Sequence, residues 1–264
     1  MKNRPDLIRT AYVLLLLGAN ILVSSCAGVS APDKRDPWES FNRSIYAFND
    51  GFDRAIARPV ARTYKNYTPD VVQTGVSNFF SNLNDLVVLI NDLLQFKFEQ
   101  AAQDFSRFAF NTTAGLLGLI DVSSYMGLPK HHEDFGQTLA TWGAGNGPYL
   151  VLPFLGPSTV RDTTGLVADS YIDPVYSIKD NEARWSAIIL RAIDTRASLL
   201  EATRLMEKSG IDPYVFMRNA YLQHRENLIY DGNPPPPNIQ PTTKGDLELQ
   251  DELDKELQLD TPAK

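Results

Sequence analysis

The sequence predicts an all-α protein, and three observations support this fold class. Apolar residues recur at spacings of three and four over long stretches, which places them on one face of a helix. Prolines and glycines fall where such stretches begin and end, as they do at helix termini. No alternation of apolar and polar residues lasts long enough to predict a sheet.

The first half of the chain contains several predicted helical stretches. The first helix is predicted from residues that share one face: Trp38, Phe41, Ile45, Phe48 and Phe52. A proline suits the first turn of each of two further helices, near 59–66 and 69–83. Residues 87–96 are strongly apolar, and another helix is predicted over 98–118.

The second half is less regular at its start. Between about 119 and 160, glycines and prolines predict loops with short helices. The longest helix is predicted over 182–208, and Gly210 suits its end. A final helix is predicted to open at Asp212-Pro213 and to run to about residue 230.

The first 25 residues have the composition of a lipoprotein signal peptide. Basic residues precede an apolar run over 11–23 that is too short for a comfortable transmembrane helix. The run ends in Val23-Ser24-Ser25-Cys26, which matches a bacterial lipobox, where cleavage precedes a lipidated cysteine. Cys26 is the only cysteine of the chain and can form no disulfide within it. An ordinary secretory signal with a chance cysteine, or an uncleaved anchor, are the alternatives.

Four segments are predicted from composition. They are a cleaved signal peptide (1–25), a lipidated N-terminus and tether (26–36), a helical domain (37–232) and a Pro-rich, acidic, mostly disordered tail (233–264). Ala27, rather than Asp, follows the cysteine and favours the outer membrane in a bacterium with two membranes. The net charge of −7 argues against a nucleic-acid partner.

The sequence predicts no catalytic residue, metal site or cofactor. The histidines are His131, His132 and His224. A serine hydrolase of the GxSxG type needs two glycines around its nucleophile, and the nearest approaches, at 75–77 and 156–158, lack the second. Residues 131–134 could all bind a metal, but no second group completes a site, so a surface turn is predicted there.

Residues 142–162, WGAGNGPYLVLPFLGPSTVRD, are the principal candidate for a functional site. Its alternating glycines are Gly143, Gly145 and Gly147, and their spacing does not match a dinucleotide-binding loop. The apolar residues that follow them are Leu150, Val151, Leu152, Phe154 and Leu155. Pro148 and Pro153 interrupt helical structure, so an irregular hydrophobic loop is predicted. It either packs in the core or forms a wall facing lipid or a cavity.

Longer motifs run through the whole central part of the chain. They are DPWESFNR (36–43), GVSNFFSNL (75–83), NDLLQ (91–95), RFAFNTTAG (107–115), EDFGQTL (133–139), the stretch 142–162, and DPY (212–214). Together they resemble the MlaA/VacJ family of outer-membrane lipoproteins over about residues 36–232.

The resemblance implies a fold and a function. The fold is a single ring-shaped helical domain with a central amphipathic channel, lying in the inner leaflet of the outer membrane. Phospholipid misplaced in the outer leaflet would pass through this channel to a soluble periplasmic phospholipid carrier. Trimeric porins are the implied membrane partners, no covalent bond is broken, and no cofactor is needed.

The resemblance also gives the candidate residues their expected roles. The apolar residues of 150–155 are expected to form a channel or lipid-facing wall, with core packing as the alternative. The three glycines are expected to supply positive φ angles or a hinge, with tight turns as the alternative, and the two prolines to stiffen the loop. Trp38, Phe41 and Phe48 are expected in the core or at the bilayer interface. A structural lipoprotein that scaffolds porins without conducting lipid, and a lipid hydrolase, are the competing functions.

Overall fold

The computed structural model describes residues 33–208, 210 and 212–235, and this part of the chain is mainly helical, as predicted. Cys26, the signal peptide, most of the tether and most of the tail lie outside the described residues. The predicted boundaries after residues 25, 36 and 232 therefore stay predictions.

The first two predicted helices are confirmed, and they are joined without a loop. Helix α1 spans Glu39–Phe52 and α2 spans Arg58–Tyr67, with a proline in the first turn of α2. A π-helical segment, Asp53–Ala57, lies between them. The Asp53 carboxylate accepts hydrogen bonds from Arg196 (2.5 and 3.0 Å), which ties this widened turn to the later helix that carries Arg196.

The next two helices form a hairpin. Helix α3 spans Asp70–Leu94, so the two stretches predicted near 69–83 and 87–96 are one continuous helix. Helix α4 spans Phe98–Thr113 and packs along α3. It ends five residues before the predicted position because Leu116 and Leu117 adopt positive φ angles (54° and 61°), which a helix does not allow.

Short helices follow, as predicted for this irregular region, but one helix was not expected. Helix α5 spans Val122–Tyr125 and α6 spans Phe135–Thr141. The unexpected helix, α7, spans Val160–Ile172 and opens at Thr159, whose side chain accepts a hydrogen bond from the Asp162 amide.

The predicted irregular loop is instead a short β-hairpin, and this is a correction. Strand β1 (Tyr149–Leu152) pairs antiparallel with β2 (Gly156–Thr159), with Leu150 opposite Ser158. Each strand is only four residues long, which is too short for alternation to be recognised in the sequence. Pro153 lies in the turn between the strands, where no ladder hydrogen bond is required of it.

The last helices follow the predicted order with one break. The helix predicted over 182–208 is two helices, α8 (Asn181–Ser198) and α9 (Leu200–Lys208), which meet at Leu199. Gly210 follows with a φ of 68°, as expected of a residue that ends a helix. Helix α10 spans Pro213–Ile229.

Two compact units divide the chain after Leu222. The first contains α1 to α9, the hairpin and the start of α10. The described part of the second contains the end of α10 and a turn in which Asp231 and Gly232 have φ angles of 49° and 84°.

The interior of the first unit is unusually polar. Its apolar cluster centres on Tyr149, Val151 and Tyr214, against which Ile45 and Tyr46 of α1 pack. The largest fully buried side chains include polar ones, among them Arg107, Gln137, Asn42, Asn91 and Asp36. In contrast, Trp38, Phe41 and Phe48 are 46%, 56% and 51% exposed, so they do not lie in the core.

Candidate functional site

The apolar residues of the hairpin divide into buried and exposed members. Val151 is 1% exposed and packs in the core, whereas Leu150 and Leu152 are half-buried. Phe154 and Leu155, at the turn, are 63% and 66% exposed. The structure thus places the strand partly in the core and presents the turn as an apolar tip.

An aromatic patch joins this tip to helix α1. The ring of Phe154 packs edge-to-face against Phe48 and Phe52, with centroid distances of 5.2 and 5.0 Å. All three rings are more than a third exposed. The exposed face of α1 and the hairpin tip therefore form one continuous apolar surface, which we call the aromatic patch (Phe48, Phe52 and Phe154).

Two asparagines of α1 hold the hairpin from behind. Asn42 donates to the Tyr149 carbonyl (3.0 Å) and accepts from the Val151 amide (2.9 Å). Asn49 donates to the Leu152 carbonyl (2.9 Å) and accepts from the Phe154 amide (2.8 Å). Because seven residues bring a helix back to the same face, both side chains reach the free edge of β1. We call this pair the asparagine clamp.

The clamp is itself anchored to a buried carboxylate. Asp36, which is fully buried, accepts from the Asn42 amide (2.8 Å), the Tyr214 hydroxyl (2.5 Å) and the Arg218 guanidinium (3.0 Å). Burial, followed by the hydrogen bond to Asp36, raises the pKa of the Tyr214 hydroxyl far above its usual range, so Tyr214 remains a donor. Helices α1 and α10 and strand β1 are thereby tied together at one point.

The glycines and prolines before the hairpin lie at its exposed entrance. Gly143 and Gly147 have positive φ angles (93° and 66°), whereas Gly145 does not. All three glycines are exposed, Pro148 is half-buried and Pro153 is exposed in the turn. Residues other than glycine rarely adopt the backbone conformation found at positions 143 and 147. The hinge role remains a prediction.

The prediction of a surface turn at 131–134 is wrong, because the segment forms no turn and one of its residues, Glu133, is buried. Glu133 is 5% exposed and accepts from Gln95 (2.7 Å) and Lys97 (2.9 Å). His131 Nδ1 lies 2.7 Å from the buried Asp104 carboxylate. Asp134 accepts from the Gln137 amide (2.9 Å) and so caps α6. Within residues 33–208, 210 and 212–235, no group of three acidic, histidine or cysteine side chains has the geometry to hold a metal ion.

A second buried carboxyl group faces Asp104. Asp92 is fully buried, and its burial and the hydrogen bond to Asp104 raise the pKa of Asp92 to about 8; the charges of Asp104 and Glu133 act in the same direction, and Lys97 opposes them. Two such carboxyl groups can be in contact only if a proton is shared between them. This pair was not recognised in the sequence, since Asp92 and Asp104 look like ordinary polar positions of two amphipathic helices.

The clamp residues were also missed, although a signal existed. Two asparagines seven positions apart lie next to the aromatic stripe of α1, where charged residues would be expected on a solvated face. Their partners are backbone atoms of residues more than a hundred positions away, so the local sequence could not predict the pairing. In the part of the chain that the structure describes, no helix is both long and apolar enough to cross a membrane.

Comparison with known families identifies the chain's relatives. A family model described as MlaA lipoprotein matches residues 34–228. The intermembrane phospholipid transport system lipoprotein MlaA of Escherichia coli is 38% identical over 248 residues, which covers 90% of this chain and 95% of that protein. The protein of the same description from Haemophilus influenzae is 31% identical over 233 residues, covering 85% and 93%.

A solved structure agrees with these sequence relatives. It belongs to work on the structural basis for maintenance of bacterial outer membrane lipid asymmetry, and it matches with a TM-score of 0.65 at 34% identity. The match covers 75% of this chain and 99% of that one. An uncharacterised protein of Rickettsia felis is similar as well, with 38% identity over 195 residues, 74% of this chain and 78% of that protein. The chain therefore belongs to the MlaA lipoprotein family.

Proposed function

We propose that this chain is the outer-membrane lipoprotein of an intermembrane phospholipid transport system. In this role it removes phospholipid from the outer leaflet of the outer membrane and passes it towards a soluble periplasmic carrier, which maintains lipid asymmetry. The match with relatives of this description extends over almost their full length, which supports assigning the same function to this chain.

The observation that carries this proposal is the hairpin with its exposed apolar tip. A phospholipid needs a continuous apolar surface for its acyl chains, because exposing them to water is unfavourable. Phe154 and Leu155 are about two-thirds exposed, yet the asparagine clamp holds the backbone beside them in one position. A rigidly held apolar tip is suited to guiding acyl chains. We assign Leu150, Leu152, Phe154 and Leu155 to the wall of the lipid path, whereas Val151 packs in the core.

The distribution of polarity supports a membrane setting for the first unit. Aromatic side chains in α1 and just before it, including Phe41 and Trp38, are exposed, while many charged and amide side chains are buried. In water this arrangement gains little from the hydrophobic effect. In the interfacial region of a bilayer the exposed side chains would lie in apolar surroundings.

Anchoring and partners complete the proposal. Cys26 is the proposed site of lipidation, and several acyl chains on one residue give durable attachment, at roughly 0.8 kcal/mol for each buried CH₂. Trimeric porins are the proposed neighbours in the membrane, and Gly143 and Gly147 the proposed hinge beside the hairpin. The proposed transport makes and breaks no covalent bond.

The proposal is tested by replacing the hairpin tip. In bacteria that lack the gene, the Phe154→Asp variant should fail to restore the barrier, because a carboxylate at the tip is costly to bring into contact with acyl chains. Outer-leaflet phospholipid and detergent sensitivity should remain as in the deletion strain. Leu205→Asp is the matched control, since Leu205 of α9 is equally exposed (65%) but outside the hairpin. It should restore both properties.

A second variant tests the clamp without changing the tip. Asn49→Ala removes both bonds to the turn, and we expect partial complementation together with faster amide hydrogen exchange at Phe154. Normal barrier function in both Phe154→Asp and Asn49→Ala strains would favour a porin scaffold that does not conduct lipid. Unchanged outer-leaflet lipid in the deletion strain would refute transport altogether.

A further inference from the structure

A polar pocket of about 230 Å³ opens between α2, α3 and α8. Lys65 of α2 and Asp194 of α8 contribute opposite charges to its lining. Thr74 and Ser77, both on α3, add hydroxyl groups. A pocket with a cation, an anion and hydroxyl groups in its lining is suited to a small ligand that is itself charged at both ends.

The two charges of this pocket are available to such a ligand. Among the residues that the structure describes, Lys65 forms no ion pair, and Asp194 accepts hydrogen bonds only from hydroxyls, those of Tyr64 (3.0 Å) and Ser77 (2.7 Å). Burial, followed by the hydrogen bond to Asp194, raises the pKa of Tyr64 to about 12, so Tyr64 stays a donor and holds the carboxylate in place. A carboxylate oxygen that accepts one hydroxyl can still accept a second donor.

A second, mainly apolar pocket of about 600 Å³ shares Thr74 with the first, and its lining also includes two carboxylates, Asp70 and Asp121. Its apolar lining includes Val71 of α3, together with Leu119 and Ile120. Val71 is 84% exposed, and Leu119 and Ile120 are nearly half exposed, so this surface is open to an apolar ligand. An amphiphile has a polar head and an apolar tail, and the two neighbouring pockets offer a polar surface for the first and an apolar surface for the second.

We propose that the two pockets together bind one zwitterionic phospholipid, with the phosphate at Lys65, the ammonium group of the head group at Asp194, and an acyl chain in the apolar pocket. This inference rests on the proposed transport function and adds a head-group preference to it. The ammonium group of phosphatidylethanolamine pairs with Asp194, whereas the uncharged glycerol of phosphatidylglycerol leaves Asp194 without a counter-charge. The pocket therefore discriminates between the two lipids by the attraction between Asp194 and the ammonium group.

The preference can be measured with the full-length protein. Purified protein is mixed with vesicles of equimolar phosphatidylethanolamine and phosphatidylglycerol, re-isolated, and its bound lipid is quantified by mass spectrometry. We expect enrichment of phosphatidylethanolamine by about two- to five-fold, the range expected for one solvent-exposed ion pair. Asp194→Asn should bring the ratio of the two lipids to that of the vesicles without lowering their sum, because asparagine can still accept from Tyr64.

The cationic half of the site is tested separately. Lys65→Ala should lower the binding of both lipids to the same extent, since both carry a phosphate. Arg62→Ala is the matched control, because Arg62 is exposed on the same helix, is also without an ion-pair partner within the described residues, and does not line the pocket. A loss as large in Arg62→Ala as in Lys65→Ala would show only a non-specific effect of charge and overturn the assignment.

The apolar half has its own pair of variants. Val71→Gln should lower the total bound lipid, whereas Val72→Gln should not, because Val72 is exposed beside it but does not line the pocket. Soluble glycerophosphoethanolamine distinguishes a lipid site from a site for the head group alone. Glycerophosphoethanolamine should bind wild-type and Val71→Gln protein equally, because it has no acyl chain. If the whole lipid also binds both proteins equally, the ligand is not a whole phospholipid and the proposal is wrong.

The outcomes separate this inference from the function on which it rests. Wild-type protein that takes up no lipid from the vesicles would contradict the proposed transport. Protein that takes up lipid with no head-group preference, or with a preference that Asp194→Asn leaves intact, would overturn only the site proposed here.

Discussion

A pair of buried carboxyl groups makes the stability of this fold depend on pH. Asp92 of α3 and Asp104 of α4 are both fully buried. His131 lies beside Asp104, and the charges of Glu133 and Lys97 act on Asp92. The raised pKa of Asp92 means that the folded protein binds a proton that the unfolded chain has released at neutral pH. The helical hairpin of α3 and α4 is thus more stable when Asp92 is protonated than when it is ionised.

This proton makes stability depend on pH in a defined direction. The pKa of Asp92 is about 8 in the folded protein and 3.8 in the unfolded chain. The contribution of the Asp92 proton to the free energy of unfolding is therefore complete below pH 3.8 and is lost as the pH rises to about 8. The slope for one proton is about 1.4 kcal/mol for each pH unit. We expect Asp92→Asn to reduce this slope, since an amide donates to Asp104 at every pH.

Denaturant unfolding at pH 5 and pH 8 measures the effect. The difference in the free energy of unfolding between the two values should be smaller in Asp92→Asn than in wild-type protein. Glu99→Gln, an exposed carboxyl group on α4, serves as the control and should behave as wild type. An unchanged pH dependence in Asp92→Asn would show that Asp92 is ionised in the folded protein.

At the scale of elements, close backbone contact decides how α6 and α7 cross. A Cβ atom at Gly165 of α7 would lie 2.4 Å from the Gly136 amide nitrogen and 2.8 Å from its Cα atom. These are backbone atoms, so no side chain can turn aside to make room. The two glycines therefore set how closely the helices pack just beyond the hairpin, and neither was singled out in the sequence.

We expect Gly165→Ala to destabilise the protein by about 1–3 kcal/mol, the usual cost of overpacking. Gly51→Ala is the control, because Gly51 also lies in a helix but has no heavy atom within 4 Å of an added Cβ. It should stabilise by about 0.5–1 kcal/mol through helix propensity. Thermal unfolding distinguishes them, and equal shifts in the same direction would contradict the close crossing.

At the scale of the whole molecule, we propose that the exposed apolar surface and a lipid anchor on Cys26 act together in membrane attachment. In the proposed function, the aromatic patch and other exposed side chains give interfacial contact, and acyl chains on Cys26 give attachment. We expect Cys26→Ala to remain an unprocessed, unanchored precursor that does not restore barrier function. Membrane fractionation and outer-leaflet lipid analysis check this, with wild type as reference. Full function of Cys26→Ala would mean that the helical domain attaches to the membrane without the lipid.

The sequence by itself determined much about this protein. Helical periodicity gave the fold class and the positions of α1, α2 and α10, since a 3.6-residue repeat is a local property. The motifs gave the family, because they are long and specific. The predicted breaks between helices were wrong at two places. Two stretches that were predicted separately form the single helix α3, and one predicted helix is broken at Leu199 into α8 and α9.

Only the tertiary structure decided what surrounds the candidate site. Four-residue strands are stable here because Asn42 and Asn49 satisfy the free edge of β1, a pairing over more than a hundred residues that no local pattern encodes. In the same way, the pKa of Asp92 is raised only when packing buries its side chain and α4 brings Asp104 beside it. Lys65 and Asp194 line one pocket only when α2 and α8 pack. Local spacing fixes helices, whereas burial and long-range contact fix the chemistry of the side chains that those helices carry.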